Sequence, residues 1–291
     1  MAEISAQAVK ALRERTGAGM MDCKRALAET GGDVDRAIET LRERGLAKAV
    51  KRSGRATSEG TVDIALGGAA GGIVELGCET DFVAKTPDFQ ALAKQAAAAA
   101  LATPGAAGPE ALLAVSAGEG TLGDVLSAAI GRIGENIVLK RSERLAVDGA
   151  GSVGGYVHAG GKLGVLVALA TEALGEAVEA LAKDLAMHVA AADPSPVAVD
   201  REGVPAALVE HEAELFRRQA EQEGRPPGVI DKIVEGRVRK YYSEVCLVEQ
   251  PFVKDPDRTV GRLLEDAAKQ LGQPVRVTGF VRYRLGEAGS E

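Results

Sequence analysis

The stretch TVDIALGGAAGGIVELGCETDFVAKTPDFQ, residues 61–90, carries the pattern that decides the fold. Polar and apolar residues alternate over 61–66 and again over 73–78, and a glycine-rich turn is expected between the two runs. Because successive side chains on a strand point to opposite faces, these runs predict a β-hairpin. Thr86 is a good N-cap and Pro87 suits a first helical position, so an alanine-rich helix is predicted to follow.

A second hairpin followed by an alanine-rich helix is predicted further along the chain. Residues 156–158 and 165–169 flank a turn at 159–164, and the helix is expected from about Leu174 to Ala192. Two such units predict two related α+β halves of one core, and a chance resemblance between two common motifs is the alternative.

Two helical parts complete the α+β fold class that the sequence predicts. Residues 1–47 show apolar stripes at helical spacing, with good N-caps at Ser5 and Asp33, which predicts a three-helix bundle. Each stripe is followed by a glycine, which tolerates the left-handed conformation that ends a helix: Gly17, Gly31 and Gly45. Near the other end of the chain, two amphipathic helices joined by a proline-containing turn predict an antiparallel helical hairpin.

We therefore expect the chain to be divided into segments with different architectures. They are a bundle over 1–47, a basic linker over 48–60, the first half of the core over 61–146, the second half over 147–198 and 244–291, and an inserted helical hairpin over 199–243. Small antiparallel sheets are expected in the core. The hairpin would support a homodimer if its apolar stripes do not bury each other, and a hairpin that rests on the core fits the pattern equally well.

The composition argues against a general nucleic-acid-binding protein. The formal net charge is −7, whereas neutralising phosphates requires an excess of Lys and Arg. Basic residues do cluster over 42–55, and a solvated helix face followed by a charged linker is the favoured interpretation. Three separated cysteines without a CxxC motif fit reduced thiols. No leader or membrane-spanning segment is recognisable, so a cytoplasmic protein without a membrane partner is expected.

Enzyme signatures fail when they are compared with their structural requirements. Residues 118–123 match GxGxxG, but no strand is predicted before them, so a glycine-rich loop between helices is favoured over a dinucleotide site. The pair Gly161 and Lys162 lacks the remaining residues of a phosphate loop. The three histidines have no histidine or cysteine partner at ligand spacing. We therefore expect no enzyme activity, no cofactor and no metal site.

Two features have the chemistry of protein contacts. Met20 and Met21 lie beside a glycine-rich loop, where flexible thioether side chains suit adaptable contacts with a partner. Core packing is the alternative, and at least one of the two is expected in the core. Phe82 follows Asp81 between a strand and a helix, where the ring is either a cover over the core or an exposed anchor. The spacing favours the cover.

Two longer motifs resemble the bacterial elongation factor Ts family. Residues 16–24, TGAGMMDCK, are similar to the N-terminal signature of that family, and residues 80–85, TDFVAK, are similar to its second signature. Further similar stretches follow in family order, over 133–136, 158–165, 187–190, 234–237 and 250–253. The resemblance covers nearly the whole chain. It implies a ubiquitin-associated-like bundle, a two-part α+β core and a protruding helical hairpin.

The resemblance also implies a partner, the GTPase elongation factor Tu, on which the family acts as a nucleotide exchange factor in translation. The bundle would dock on the nucleotide domain of the GTPase through Arg13, Met20 and Met21. The second half of the core would grip another domain through His158.

The second signature would be a wedge, formed by Thr80, Asp81, Phe82 and Val83. The ring of Phe82 would enter an apolar pocket beside the switch region and disturb the Mg²⁺ and phosphate sites. The alternative is a non-catalytic adaptor that binds partners only through the ubiquitin-associated-like bundle. Such an adaptor would leave Asp81 and Phe82 dispensable.

Overall fold

A computed structural model describes residues 4–106, 108–118 and 120–287 of the chain. The helices are α1 (Ala6–Thr16), α2 (Met20–Glu29), α3 (Val34–Arg52), α4 (Asp81–Ala84), α5 (Pro87–Ala102), α6 (Gly108–Leu113), α7 (Leu122–Ile133), α8 (Glu176–Ala191), α9 (Ala206–Gln222), α10 (Pro227–Val245) and α11 (Val260–Leu271). The strands are β1 (Glu59–Leu66), β2 (Ala70–Cys78), β3 (Ser116–Ala117), β4 (Gly120–Thr121), β5 (Ile137–Ala146), β6 (Gly151–Val157), β7 (Leu163–Ala170), β8 (Pro251–Phe252), β9 (Asp255–Thr259) and β10 (Arg276–Arg284). The predicted α+β class is confirmed. Within the described ranges, no helix is long and apolar enough to cross a membrane.

The first three helices form the expected N-terminal bundle. The Ser5 hydroxyl accepts the N–H of Ala8 at 3.1 Å, and the Asp33 carboxylate accepts the N–H groups of Asp35 and Arg36, so both predicted caps are present. These bonds satisfy donors that have no partner within a helix. The helices enclose a small apolar core: Val9, Leu12, Cys23, Ala26, Leu27 and Ala37.

Helix α3 does not end at Gly45, so that expected stop is wrong. Gly45 is buried where α3 packs against α7, and a Cβ on it would lie 3.6 Å from the carbonyl oxygen of Ser127. The glycine therefore serves a close helix–helix contact instead of a helix end. Because α3 continues to Arg52, it crosses the expected limit of the bundle at residue 47. The division into domains stays a prediction.

The first sheet has the strand order β1-β2-β5, and every pair is antiparallel. Its hairpin turn is shorter than expected, because Gly71 and Gly72 lie in β2 and not in the turn. A Cβ on Gly72 would lie 2.5 Å from the carbonyl oxygen of Ala97, so glycine is needed here for α5 to pack on the strand. Helix α5 begins as predicted, with the Thr86 hydroxyl accepting the N–H of Phe89 at 3.3 Å.

The second sheet has the order β10-β7-β6 and faces the first. Gly164, expected in a turn, belongs to β7, and a Cβ on it would lie 2.5 Å from a methyl group of Val62 in β1. Apolar side chains from both sheets form one shared cluster: Val62, Ile73, Val153, Leu166 and Val281. The first sheet is also covered by α5, and β2 is therefore buried along its whole length. Helix α8 covers the other face of the second sheet.

A buried ion pair within the first sheet also contacts the second sheet. Glu75 in β2 is 1 % exposed, and the guanidinium of Arg141 in β5 donates to its carboxylate from Nε at 2.8 Å. The same guanidinium lies 4.2 Å from the ring centre of Tyr283 in β10 and donates to the carbonyl oxygen of Arg284 at 2.8 Å. One arginine thus contacts strands of both sheets.

Residues 120–123 of the segment expected as a glycine-rich loop belong to regular structure instead, and Glu119 lies outside the described residues. Strands β3 and β4 pair in a short antiparallel ribbon, and α7 begins directly after it. The Thr121 hydroxyl accepts the N–H of Asp124, while the Asp124 carboxylate accepts the N–H of Thr121, which is a capping box. The ribbon is antiparallel and precedes a helix without a crossover, unlike a dinucleotide-binding turn.

The inserted segment is the predicted antiparallel helical hairpin. Ala220 of α9 is buried together with Ile230 and Val234 of α10, so the two apolar stripes pack on each other. Leu208 and Val229 are the large aliphatic side chains of the hairpin that stay exposed. The homodimer through this hairpin stays a prediction.

Candidate functional site

Among the residues that the structure describes, Phe82 is the most exposed large apolar side chain. Its ring is 80 % exposed, on the one-turn helix α4 between β2 and α5. This exposure shows that the expectation of a ring covering the core is wrong. The fully buried phenylalanine of the first apolar cluster is Phe89 in α5. Phe82 is therefore placed as an exposed anchor would be.

Helix α4 is capped and anchored at both ends. The Thr80 hydroxyl accepts the N–H of Val83 at 3.3 Å, and Val83 and Ala84 pack against the core of the first half. Lys85 donates to the Asp81 carboxylate at 2.7 Å, and this hydrogen bond is the main reason why the pKa of Asp81 is lowered. Asp81 is therefore ionised at neutral pH and partly neutralised by Lys85.

A carboxylate from a distant part of the chain holds the residues that lead into α4. Glu135 follows α7, and its Oε2 accepts the N–H groups of Glu79 and Thr80, both at 3.0 Å. Its Oε1 accepts the Thr80 hydroxyl at 2.6 Å. Glu135 lies in the stretch 133–136 that resembles the family, but its contact with Thr80 spans 55 residues and leaves no local signal in the sequence.

The Glu79 side chain in turn binds the backbone of the segment that carries Glu135. Its carboxylate accepts the N–H of Asn136 at 2.7 Å, which lowers the pKa of Glu79, and Arg55 donates to it at 3.3 Å. The Asn136 amide is buried and donates to the carbonyl oxygen of Arg55 at 2.8 Å. The segment before Phe82 is therefore fixed by several charge-assisted hydrogen bonds, which are stronger than neutral ones.

His158 lies across a depression from this turn. The depression has a volume of about 470 Å³, and both Asp81 and His158 line it. His158 is exposed, and its Nδ1 is 3.0 Å from the Tyr156 hydroxyl. The loop that carries it is tied to the first sheet, because the carbonyl oxygen of Gly161 accepts the N–H of Val62 at 2.7 Å. The structure thus brings the second predicted contact close to the first.

The methionine pair lies at the start of α2 in the bundle. Met20 is 57 % exposed and Met21 is 67 % exposed, so the expectation that at least one is in the core is wrong. Cys23 and Leu27 take the core positions of this helix instead. Two adjacent thioether side chains in water are suited to contact a partner surface.

Arg13 is exposed on α1. It lines a shallow depression together with Asp88 in the first turn of α5, and Arg132 of α7 pairs with Asp88 at 3.2 Å. Arg13 therefore lies near the first turn of α5.

The basic side chains between residues 42 and 55 are largely engaged within the protein. Arg42 pairs with Asp124 at 2.9 Å, Lys48 with Asp22 at 3.2 Å, and Arg52 donates to the carbonyl oxygen of Ile130 at 3.1 Å. Two of these contacts attach α3 to α7. Arg42 and Arg52 thus attach the bundle to α7, while Arg42, Lys51 and Arg55 remain exposed, as the interpretation of a solvated helix face expects.

The exposed side chains described above are suited to contacts with another protein. Among the residues that the structure describes, no three His, Cys, Asp or Glu side chains are grouped so that they could hold a metal ion. An exposed ring and an exposed methionine pair on well-anchored helices are typical of a factor that binds another protein.

Comparison with known proteins gives the family. The family model described as Elongation factor TS matches residues 79–287, and the chain belongs to this family of translation elongation factors. The chain is 48 % identical to the elongation factor Ts of Prosthecochloris aestuarii (strain DSM 271 / SK 413) over 292 residues, which cover 98 % of this chain and 100 % of the relative. It is 46 % identical to that of Clostridium botulinum (strain Eklund 17B / Type B), with 98 % and 93 % covered. A relative from Bartonella tribocorum (strain CIP 105476 / IBS 506) is 45 % identical, with the same coverage.

Proposed function

We propose that this protein promotes the release of GDP from elongation factor Tu during translation elongation, and that Phe82 acts as a wedge. The observation that carries the proposal is the 80 % exposed ring on a one-turn helix that hydrogen bonds hold in place. Exposed apolar surface costs about 25 cal/mol per Å², so burying this ring in a pocket of a partner is favourable. A fixed ring also loses little conformational entropy on binding.

The other predicted residues are assigned to docking. Met20, Met21 and Arg13, all in the bundle, would contact the nucleotide domain of the GTPase. His158 would contact another domain. The common depression lined by Asp81 and His158 supports the view that both halves of the core face the same partner.

Exchange needs no acid or base from the factor. A protein that binds the nucleotide-free GTPase more tightly than the GDP-bound form must weaken GDP binding by the same ratio. Mg²⁺ is coordinated by phosphate oxygens and few protein ligands, so a ring that displaces its surroundings also weakens GDP. We accordingly assign to this protein no enzyme activity in the usual sense, no cofactor and no direct nucleic-acid or membrane partner, and we place it in the cytoplasm.

Release of a fluorescent GDP analogue from elongation factor Tu tests this proposal. Phe82→Ala should reduce the maximal acceleration by roughly 30-fold, which corresponds to about 2 kcal/mol for the loss of a central aromatic anchor. Leu174→Ala is the matched control, since Leu174 is 75 % exposed but lies beyond the opposite end of β7 from the His158 loop.

The outcomes separate function from mechanism. Absence of acceleration by the intact protein would exclude exchange and leave the adaptor that uses only the bundle. Equal acceleration by the intact protein and by Phe82→Ala would keep exchange and exclude the wedge. A loss in Leu174→Ala as large as in Phe82→Ala would show that the effect is not specific to this ring.

A further inference from the structure

The residues that lead into α4, the helix that carries Phe82, are held by contacts from outside this helix. Helix α4 contains four residues, and a single helical turn is not stable by itself in water. The ladder between β2 and β5 ends at the pair Cys78 and Ile137, just before the chain turns into α4. Beyond that pair, strand pairing no longer fixes the backbone.

Beyond the last strand pair, two carboxylates form the hydrogen bonds that connect these two segments of the chain. The carboxylate of Glu135 accepts the N–H groups of Glu79 and Thr80 and the Thr80 hydroxyl, at 3.0, 3.0 and 2.6 Å. In the other direction, the carboxylate of Glu79 accepts the N–H of Asn136 at 2.7 Å. The Thr80 hydroxyl that Glu135 holds is also the cap that accepts the N–H of Val83.

The end of α7 explains how Glu135 reaches this position. Gly134 has a φ of 91°, in the left-handed region that favours glycine, and its N–H donates to the carbonyl oxygen of Ile130 at 3.0 Å. The helix therefore stops there and the chain turns towards β5. Glu135 is the first residue after that stop, directly opposite the end of β2.

We infer that Glu135 is a positioning residue for Phe82, and this inference rests on the proposed exchange function. Through Thr80 it fixes the cap and entry angle of α4, and so it sets the direction in which the ring points. Glu135 itself would not contact the nucleotide. Its loss should let α4 sample several orientations, so that the ring enters the pocket of the partner less often while the docking surfaces of the bundle and of the second half stay intact.

The substitution Glu135→Gln tests the role of the carboxylate. Glutamine keeps the length of the side chain but offers one acceptor oxygen instead of two, and its NH₂ group cannot accept from Thr80. The maximal acceleration of GDP release should fall about tenfold, while the concentration of factor that gives half of that acceleration should change less than about threefold. Glu249→Gln is the matched control, because its carboxylate binds Arg201 at 2.8 Å in the other half of the core.

A double-mutant cycle separates positioning from a general loss of structure. If Glu135 acts through the ring, Glu135→Gln should have no further effect on exchange in a Phe82→Ala background. Equal effects in both backgrounds would overturn the inference. If Glu135→Gln proves poorly folded, Thr80→Val replaces it as the test. This substitution removes the hydroxyl that donates to Glu135 and keeps the carboxylate, and it should lower exchange in the same way.

A second readout needs no partner. With 4-fluorophenylalanine at the five phenylalanine positions, the fluorine resonance of residue 82, assigned by its absence in Phe82→Ala, should be single and sharp in the intact protein. In Glu135→Gln it should broaden or split, while the other four should stay unchanged. An unchanged resonance of residue 82 would refute the positioning role even if exchange fell. The spectrum is informative even if the intact protein does not accelerate GDP release.

Discussion

A Cβ on Gly131 of α7 would lie 3.1 Å from the Cα of Gly45 in α3, so these two helices cross with their backbones in contact. Arg42 and Arg52 strengthen the contact through Asp124 and the carbonyl oxygen of Ile130. The crossing attaches the bundle, which carries Met20 and Met21, to the part of the core that carries Phe82. The two candidate contact sites are therefore held at a fixed separation.

Gly131→Leu should separate the bundle from the core without unfolding either part. A leucine side chain cannot fit at a backbone contact of this distance, so α3 must move away from α7. We expect a larger radius of gyration in small-angle scattering and a lower rate of GDP release at low factor concentration. Gly236→Leu in α10 is the control, since a Cβ there meets no neighbour within 4 Å. An unchanged scattering curve for Gly131→Leu would contradict the role of this crossing.

Replacing both Met20 and Met21 with Ala should weaken binding to elongation factor Tu. Both side chains are more than half exposed, so their removal costs little folding stability, and the expected loss of binding free energy is about 1–3 kcal/mol for the pair. Calorimetric titration measures the affinity, and thermal unfolding serves as the control for stability. Unaltered affinity would remove the methionine pair from the interface.

The buried carboxylate of Glu75 makes a different prediction, which concerns stability. Glu75→Gln leaves the partly buried guanidinium of Arg141 without its charged partner, and breaking such a pair costs about 3–5 kcal/mol. Glu75→Leu combined with Arg141→Met removes both charges and should cost less than the single substitution. Urea unfolding of the three proteins compares these free energies. A double variant less stable than Glu75→Gln would disprove this account of the ion pair.

Caps, hairpins and helix pairs were predictable from the sequence because their signals are local. The N-caps at Ser5, Asp33 and Thr86 lie within three residues of the groups they bond. Glycines were harder, because the same residue suits a turn and a close approach. Gly45 and Gly72 both serve close packing, and only the position of the neighbouring helix reveals this.

In the candidate site too, local features were predictable from the sequence and contacts between distant segments were not. The motif around Phe82 was visible, but its spacing favoured a cover over the core, and only the resemblance to the family implied an exposed ring. Phe89 took the core position, and this depends on how α5 lies across β2. Glu135 was invisible as a contact of Thr80 because the end of a separate helix brings the two residues together.

His188 gives a prediction about pH. It is buried in α8, its Nε2 is 3.0 Å from Oε1 of Gln250, and its Nδ1 accepts the N–H of Val253 at 3.2 Å. An Nδ1 that accepts a hydrogen bond carries no hydrogen of its own, so the ring is neutral, and Nε2 carries the hydrogen and donates to Gln250. The Gln250 amide in turn donates to the carbonyl oxygens of Pro194 and Glu244, which ties the end of α10 to this network.

Burial lowers the pKa of His188 below its ordinary value, although the Gln250 contact partly opposes this shift. The unfolded chain therefore binds a proton at a higher pH than the folded protein does. The free energy of unfolding should consequently be constant above about pH 6.5 and should decrease as the pH falls below it, by at most about 1.4 kcal/mol per pH unit for this residue. His188→Gln, which cannot take up a proton, should be less stable at neutral pH but should lack this part of the pH dependence. Urea unfolding between pH 5 and pH 8 compares the two proteins, and parallel curves would show that His188 stays uncoupled from folding.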